Sequence, residues 1–97
     1  MIFQCGDVRC TPGIARMIRD DPVMNDWIAE CFDRHINGDW GDLTDEDKEI
    51  NDESLRYEAE GKMGWRLMSS YSLDDFKIWI ITEADRSATT ILLPSEY

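Results

Sequence analysis

The chain predicts an α+β fold in which N-terminal helices pack on a C-terminal three-stranded antiparallel sheet. Three observations carry that prediction. Apolar residues recur at helical spacing between Pro12 and Ile36, and a capped, heavily charged segment starts at Thr44. Beyond Gly61 and Gly64 the periodicity changes to two, in runs rich in β-branched and aromatic residues.

In chain order, Met-Ile-Phe-Gln-Cys within Met1 to Val8 offers a short strand, ended at Gly6 and Asp7. Thr11 followed by Pro12 reads as an N-cap with proline at the first helical position, where its missing N–H costs nothing. The helix runs to about Asp20, with Ile14, Met17 and Ile18 on one stripe. Asp21 and Pro22 start a second helix to about Ile36, with Val23, Trp27, Ile28, Cys31, Phe32 and Ile36 as its apolar face. Asn37 and Gly38 suit its left-handed exit. In the connection that follows, Trp40 and Leu43 are expected to fold back on the core while the aspartates stay outside.

Thr44 caps a third helix, with Asp47 in a capping-box position and Asp45 and Glu46 set favourably against the helix dipole. From Asp45 to about Glu58 its apolar residues are only Ile50, Leu55, Tyr57 and Ala59, so its buried stripe is expected to be thin. Trp65 to Tyr71, Lys77 to Glu83 and Ala88 to Leu93 then read as a three-stranded meander, joined by short spacers. The middle strand lacks clean alternation, as expected of a strand covered on both faces. Trp27, Phe32, Trp65, Trp79, Ile80 and Leu92 are the expected core.

At 97 residues, 42% of them hydrophobic, with four Trp, three Tyr and three Phe, the chain predicts one folded domain spanning residues 1–97. No apolar run approaches the roughly 20 residues of a membrane span, and the N-terminus lacks the pattern of a signal peptide. The expectation is a cytoplasmic protein with no membrane partner. Three cysteines, an odd number, fit reduced thiols better than a disulfide framework.

Charge is the outstanding feature. Of a net −11, the segment Asp39 to Glu60 carries −8, ten acidic residues against Lys48 and Arg56. Carboxylates at that density cannot be buried, so they form a solvated face. A pI near 4.3 speaks against direct nucleic-acid binding, which needs phosphates to be neutralised by Lys and Arg. An acidic protein attracts basic protein surfaces instead, and the strongest of these hold nucleic acid.

Catalytic motifs are absent: there is one histidine, His35, and no Gly-x-Ser-x-Gly turn or phosphate-cradling glycine loop. The expectation is a protein that is not an enzyme and needs no cofactor. Cys31 and His35 stand four apart on one helix face, and with Cys5 and Cys10 they offer the donor types of a tetrahedral zinc site. Against that reading, neither pair has the tight spacing of a zinc finger, and free cysteines are ordinarily small buried hydrophobes. The aspartates after Asp39 lack the ligand order and central glycine of a calcium loop. The candidate site is therefore the acidic surface itself: Asp39, Asp42, Asp45, Glu46, Asp47, Glu49, Asp52 and Glu53. A DNA duplex offers its proteins closely spaced negative charge along a rod, and a protein that copies it can occupy a DNA-binding groove. The plainer alternative is that the charge only maintains solubility.

The stretches HINGDWGDLTDEDKEIND (His35 to Asp52) and KIWIITEADRSATTILLPSEY (Lys77 to Tyr97) resemble a family of small proteins of unknown function encoded on bacterial plasmids, phages and integrative elements. The resemblance transfers no active-site residue and gives the zinc reading no support. Such elements carry small acidic inhibitors of host defence, so by analogy it implies an anti-CRISPR or anti-restriction protein. The expected partner is the basic surface of a nucleic-acid-binding complex such as a CRISPR effector. The alternative is an accessory protein of a mobile element without a defence role.

Overall fold

The computed structural model describes residues 1–97. The fold is α+β, with elements in the order β1 (Asp7–Cys10), α1 (Pro12–Asp20), α2 (Pro22–Ile36), α3 (Asp45–Ala59), β2 (Leu67–Leu73), β3 (Phe76–Thr82) and β4 (Ala88–Leu92), then a 3₁₀ turn at Pro94–Glu96. The sheet has four strands in the order β1-β4-β3-β2, which corrects the expectation of three. β2, β3 and β4 form the antiparallel meander read from the sequence, and β1 adds to β4 in parallel, Asp7 beside Ala88 and Cys10 beside Ile91.

The first strand also lies later than expected. Phe3 is not a strand residue but a buried plug packed with Trp40 and Leu67, and pairing begins only after Gly6 turns the chain at φ +61°. A side chain at Gly6 would run into the Ser87 backbone, so the contact that delivers β1 to β4 needs glycine there.

Alternation along the meander separates two faces. Tyr71, Ile78, Ile80 and Ile91 point to α1 and α2 and bury together with Ile14, Ile28 and Cys31. Each large apolar side chain so buried contributes about 1.5–3 kcal/mol. Met17, Ile18, Trp27, Phe32 and Leu93 are half-buried around this centre. The opposite face is covered too over the second half of β3, as expected of a middle strand without clean alternation: Ile81 and Leu92 are buried there, and half-buried Trp79 meets Tyr97, just after the 3₁₀ turn, edge-on at 5.7 Å. Of the six expected core residues, Ile80 and Leu92 are buried, whereas Trp27, Phe32, Trp65 and Trp79 are half-buried.

Helix ends follow the sequence with one substitution of partner. Asp21 caps α2 by accepting from the Val23 N–H, and Thr44 caps α3 by accepting from the Asp47 N–H at 3.2 Å. Thr11 makes no such bond. Glu96, from the other end of the chain, accepts from the Gly13 N–H at 2.9 Å and from the Thr11 hydroxyl at 2.6 Å. These bonds hold its carboxyl below the usual range, so α1 is capped by an anion from the 3₁₀ turn.

Candidate partner-binding surface

The acidic helix is positioned by polar side chains as well as by the thin apolar stripe expected of it, of which Leu55 is half-buried against Phe3, Trp40 and Leu67. With about 100° per residue, Asn51, Ser54 and Glu58 share one face of α3, while Asp45, Glu49, Asp52, Glu53 and Arg56 share the opposite one. Asn51 and Ser54 are buried; Ile50 and Tyr57 are not, because they fall on the flank between the two faces.

The buried side chains of α3 do the work of a neighbouring strand. Asn51 donates to the Met68 carbonyl at 2.7 Å and accepts from the Met68 N–H at 3.3 Å. The Ser54 hydroxyl donates to the Trp65 carbonyl and accepts from the Trp65 N–H, both at 2.8 Å. Next to them the Ser70 N–H donates to the Trp40 carbonyl and the Asp42 N–H to the Ser70 carbonyl. That approach requires Gly41, at φ +73°, since any side chain there would strike the Ser70 carbonyl. The outer edge of β2 is thereby occupied at Met68 and Ser70.

Arg86 locks the far end of α3. Only 8% exposed and itself at φ +61°, it donates from Nε and Nη2 to the Glu58 carboxylate, from Nη1 to the Trp65 and Glu83 carbonyls, and from Nη2 to Ser54 Oγ. Every donor of the guanidinium fork meets an acceptor, which is what makes a buried cation tolerable.

The eight acidic residues read from the sequence divide accordingly. Asp45, Glu46 and Glu53 lie exposed on α3 without an ion-pair partner, and Asp47 faces the groove lined by Leu43, Ile50, Trp65, Arg66 and Met68. Glu49 is on the exposed face but pairs with Arg56 at 2.6 Å. The other three are engaged in holding the fold. Asp39 takes a bidentate bond from Arg34 at 2.7 and 3.2 Å, which pulls its carboxyl below the ordinary range, and its backbone carbonyl accepts from the Tyr71 hydroxyl. Asp42 accepts from the Ser72 hydroxyl, and half-buried Asp52 accepts from the Trp40 indole N–H at 2.9 Å. Asp39 and Asp42 remain exposed although bonded within the fold, and the carboxylates without an internal side-chain partner are those of the first turn of α3 and Glu53.

The cysteine and histidine donors do not converge. Cys31 is buried among the isoleucines, where desolvation pushes its thiol up to about 11, while Cys10 is exposed on β1 and Cys5 stands before the Gly6 turn. No group of three or more His, Cys, Asp or Glu side chains is placed to hold a metal ion.

His35 instead sits fully buried between β2 and β3, with Nδ1 on Ser69 Oγ and Nε2 on Thr82 Oγ1. Its tautomer follows from the end of the chain of bonds. Thr89 donates to the Cys5 carbonyl, which can only accept, so Thr82 donates to Thr89 and accepts from His35 Nε2–H. Ser69 then donates to Nδ1. Burial, with Arg86 nearby, lowers the imidazole to about 3 and keeps it neutral. The Ser69–His35 pair has the elements of a nucleophile and base, but both residues are completely buried and closed to a substrate.

No helix is long and apolar enough to cross a membrane. No family model, curated protein or solved structure matches this chain.

Proposed function

We propose that the chain is a non-enzymatic inhibitor whose α3 docks on a basic, nucleic-acid-binding surface of a host defence complex, of the anti-CRISPR or anti-restriction kind. The observation that supports this reading is the opposition of the two faces of α3. The inner face is held by Asn51, Ser54 and Arg86, so Asp45, Glu46, Glu49 and Glu53 are presented on a helix that is already ordered. Binding then carries little ordering cost.

Charge density sets the scale of the mimicry. The 15 residues of α3 span roughly 22 Å. Leaving out Glu58, which Arg86 neutralises on the inner face, six carboxylates against Lys48 and Arg56 leave one net negative charge per roughly 5.6 Å, against about 3.4 Å for a single DNA strand and 1.7 Å for a duplex. The helix therefore resembles one strand of phosphates more than a duplex, and the partner groove it suits is one that tracks a single backbone.

The reading is tested by capturing partners from host lysate with the tagged protein, at low and high salt, beside an Asp45→Lys, Glu46→Lys, Glu53→Lys variant. A nucleic-acid-binding complex retained by the parent at low salt, and lost both at high salt and with the variant, is the expected result. Retention of the same partner by the variant contradicts it. The alternative, a mobile-element accessory protein whose charge serves solubility, draws on the internal engagement of Asp39, Asp42 and Asp52. It expects complexes indifferent to salt and to charge reversal.

A further inference from the structure

The two edges of the sheet are treated differently, and the open one has a self-complementary pattern. Every residue of β1 is exposed, including Val8 at 49%. Asp7 donates its N–H to the Ser87 carbonyl and Thr11 donates to the Ile91 carbonyl, so the odd-numbered residues face β4. Alternation then directs the N–H and C=O of Val8 and Cys10 away from the sheet, where no further strand lies and no loop backbone bonds to them.

We propose that this edge pairs with the β1 edge of a second copy of the chain, antiparallel about a two-fold axis at Val8. Hydrogen-bond parity and charge together select that register. Only even-numbered residues carry outward N–H and C=O groups, so even residues must oppose even residues. Val8 opposite Val8 sets Asp7 against the partner's Arg9 and Arg9 against the partner's Asp7, two opposite-charge cross-strand pairs on one face. Sliding by one step to bring Val8 against Cys10 sets Arg9 against Arg9, which repels. Within one chain the Asp7–Arg9 contact is loose, 3.7 Å between side chains that are 82% and 65% exposed, so both groups are free to exchange partners.

The global charge of −11 does not oppose this as strongly as its size implies. The acidic helix lies beyond β2, at the far edge of the sheet, and ends up at the two outer extremities of the pair. Four residues a side bury far less than the roughly 1,200–2,000 Å² of a stable interface, so the association is concentration-dependent and rapidly reversible. It leaves α3 free and holds whether or not α3 is a docking face.

Sedimentation of the full chain as a function of concentration tests the pairing. The weight-average mass is expected to rise from 11.3 kDa toward twice that value. Asp7→Arg should abolish the rise, and the exchange Asp7→Arg with Arg9→Asp, which leaves net charge unchanged, should restore it. Register is read by oxidation: Val8→Cys should link two copies, since opposed residues lie within disulfide reach, while native Cys10 should not. A parent that stays at 11.3 kDa to its solubility limit, a dimer untouched by Asp7→Arg, failure of the exchanged variant to dimerise, or cross-linking through Cys10 would overturn the proposal.

Discussion

The edge at β2 and the edge at β1 present the same problem, unpaired backbone groups, and this chain answers it in opposite ways. At β2 the groups are absorbed by Asn51 and Ser54 from a helix and by the Trp40–Asp42 backbone. At β1 they are left in solvent on a strand of four residues. The lesson is that the most charged element of the chain is also anchored by a dense set of buried polar bonds. The attachment works through side chains a hydropathy reading ignores.

Breaking the closed edge should have the largest effects. Replacing Arg86 by Met leaves the Glu58 carboxylate, the Trp65 carbonyl and Ser54 without their shared cation, and should cost about 3–5 kcal/mol in urea unfolding. Arg86→Lys should recover only part, because an ammonium cannot fork to the same acceptors. Next in size, Asn51→Leu removes both bonds to Met68 and leaves its N–H and its C=O unsatisfied, for a loss of about 2–4 kcal/mol by the same measurement.

The pH dependence of the closed half comes from His35. Its folded value, about 3, lies below the ordinary 6.5, so the unfolded chain binds the extra proton and stability is lost as pH falls through that interval. The slope approaches about 1.4 kcal/mol per pH unit. Ordinary carboxylates titrate mostly below about pH 5, which leaves the upper part of the window to the one histidine. Unfolding free energy should drop by about 2 kcal/mol between pH 6.5 and 5, and His35→Gln should flatten the curve.

At the other extreme, Glu53→Lys on the outer face of α3 should move stability by no more than about 0.5 kcal/mol while weakening partner capture at low salt. A stability loss of the size seen for Asn51 would show that the two faces of α3 are not independent.

How much of this the sequence carried depends on the range of each interaction. The three helices, their caps at Asp21 and Thr44 and the antiparallel meander rest on local spacing and turn chemistry, and they were legible. β1 was not, because its partner β4 lies some 80 residues away and the apolar start Met-Ile-Phe drew the strand too early. The inner face of α3 was read only in part, through Leu55, because Ile50 and Tyr57 fall on the flank while Asn51 and Ser54 occupy the buried side. The one available signal was their spacing of three, opposite the carboxylate row. Charge density alone could not reveal that Asp39, Asp42 and Asp52 are held by Arg34, Ser72 and Trp40, since those partners are fixed only by tertiary structure.

Amide hydrogen exchange, followed residue by residue in dilute and concentrated solution, tests the contrast between the edges most directly. The account predicts slow exchange at Met68 and Ser70 at every concentration, and fast exchange at Val8 and Cys10 that slows as concentration rises. Fast exchange at Met68 would mean that α3 does not close the β2 edge, and protection at Val8 in dilute solution would mean that the β1 edge is not open.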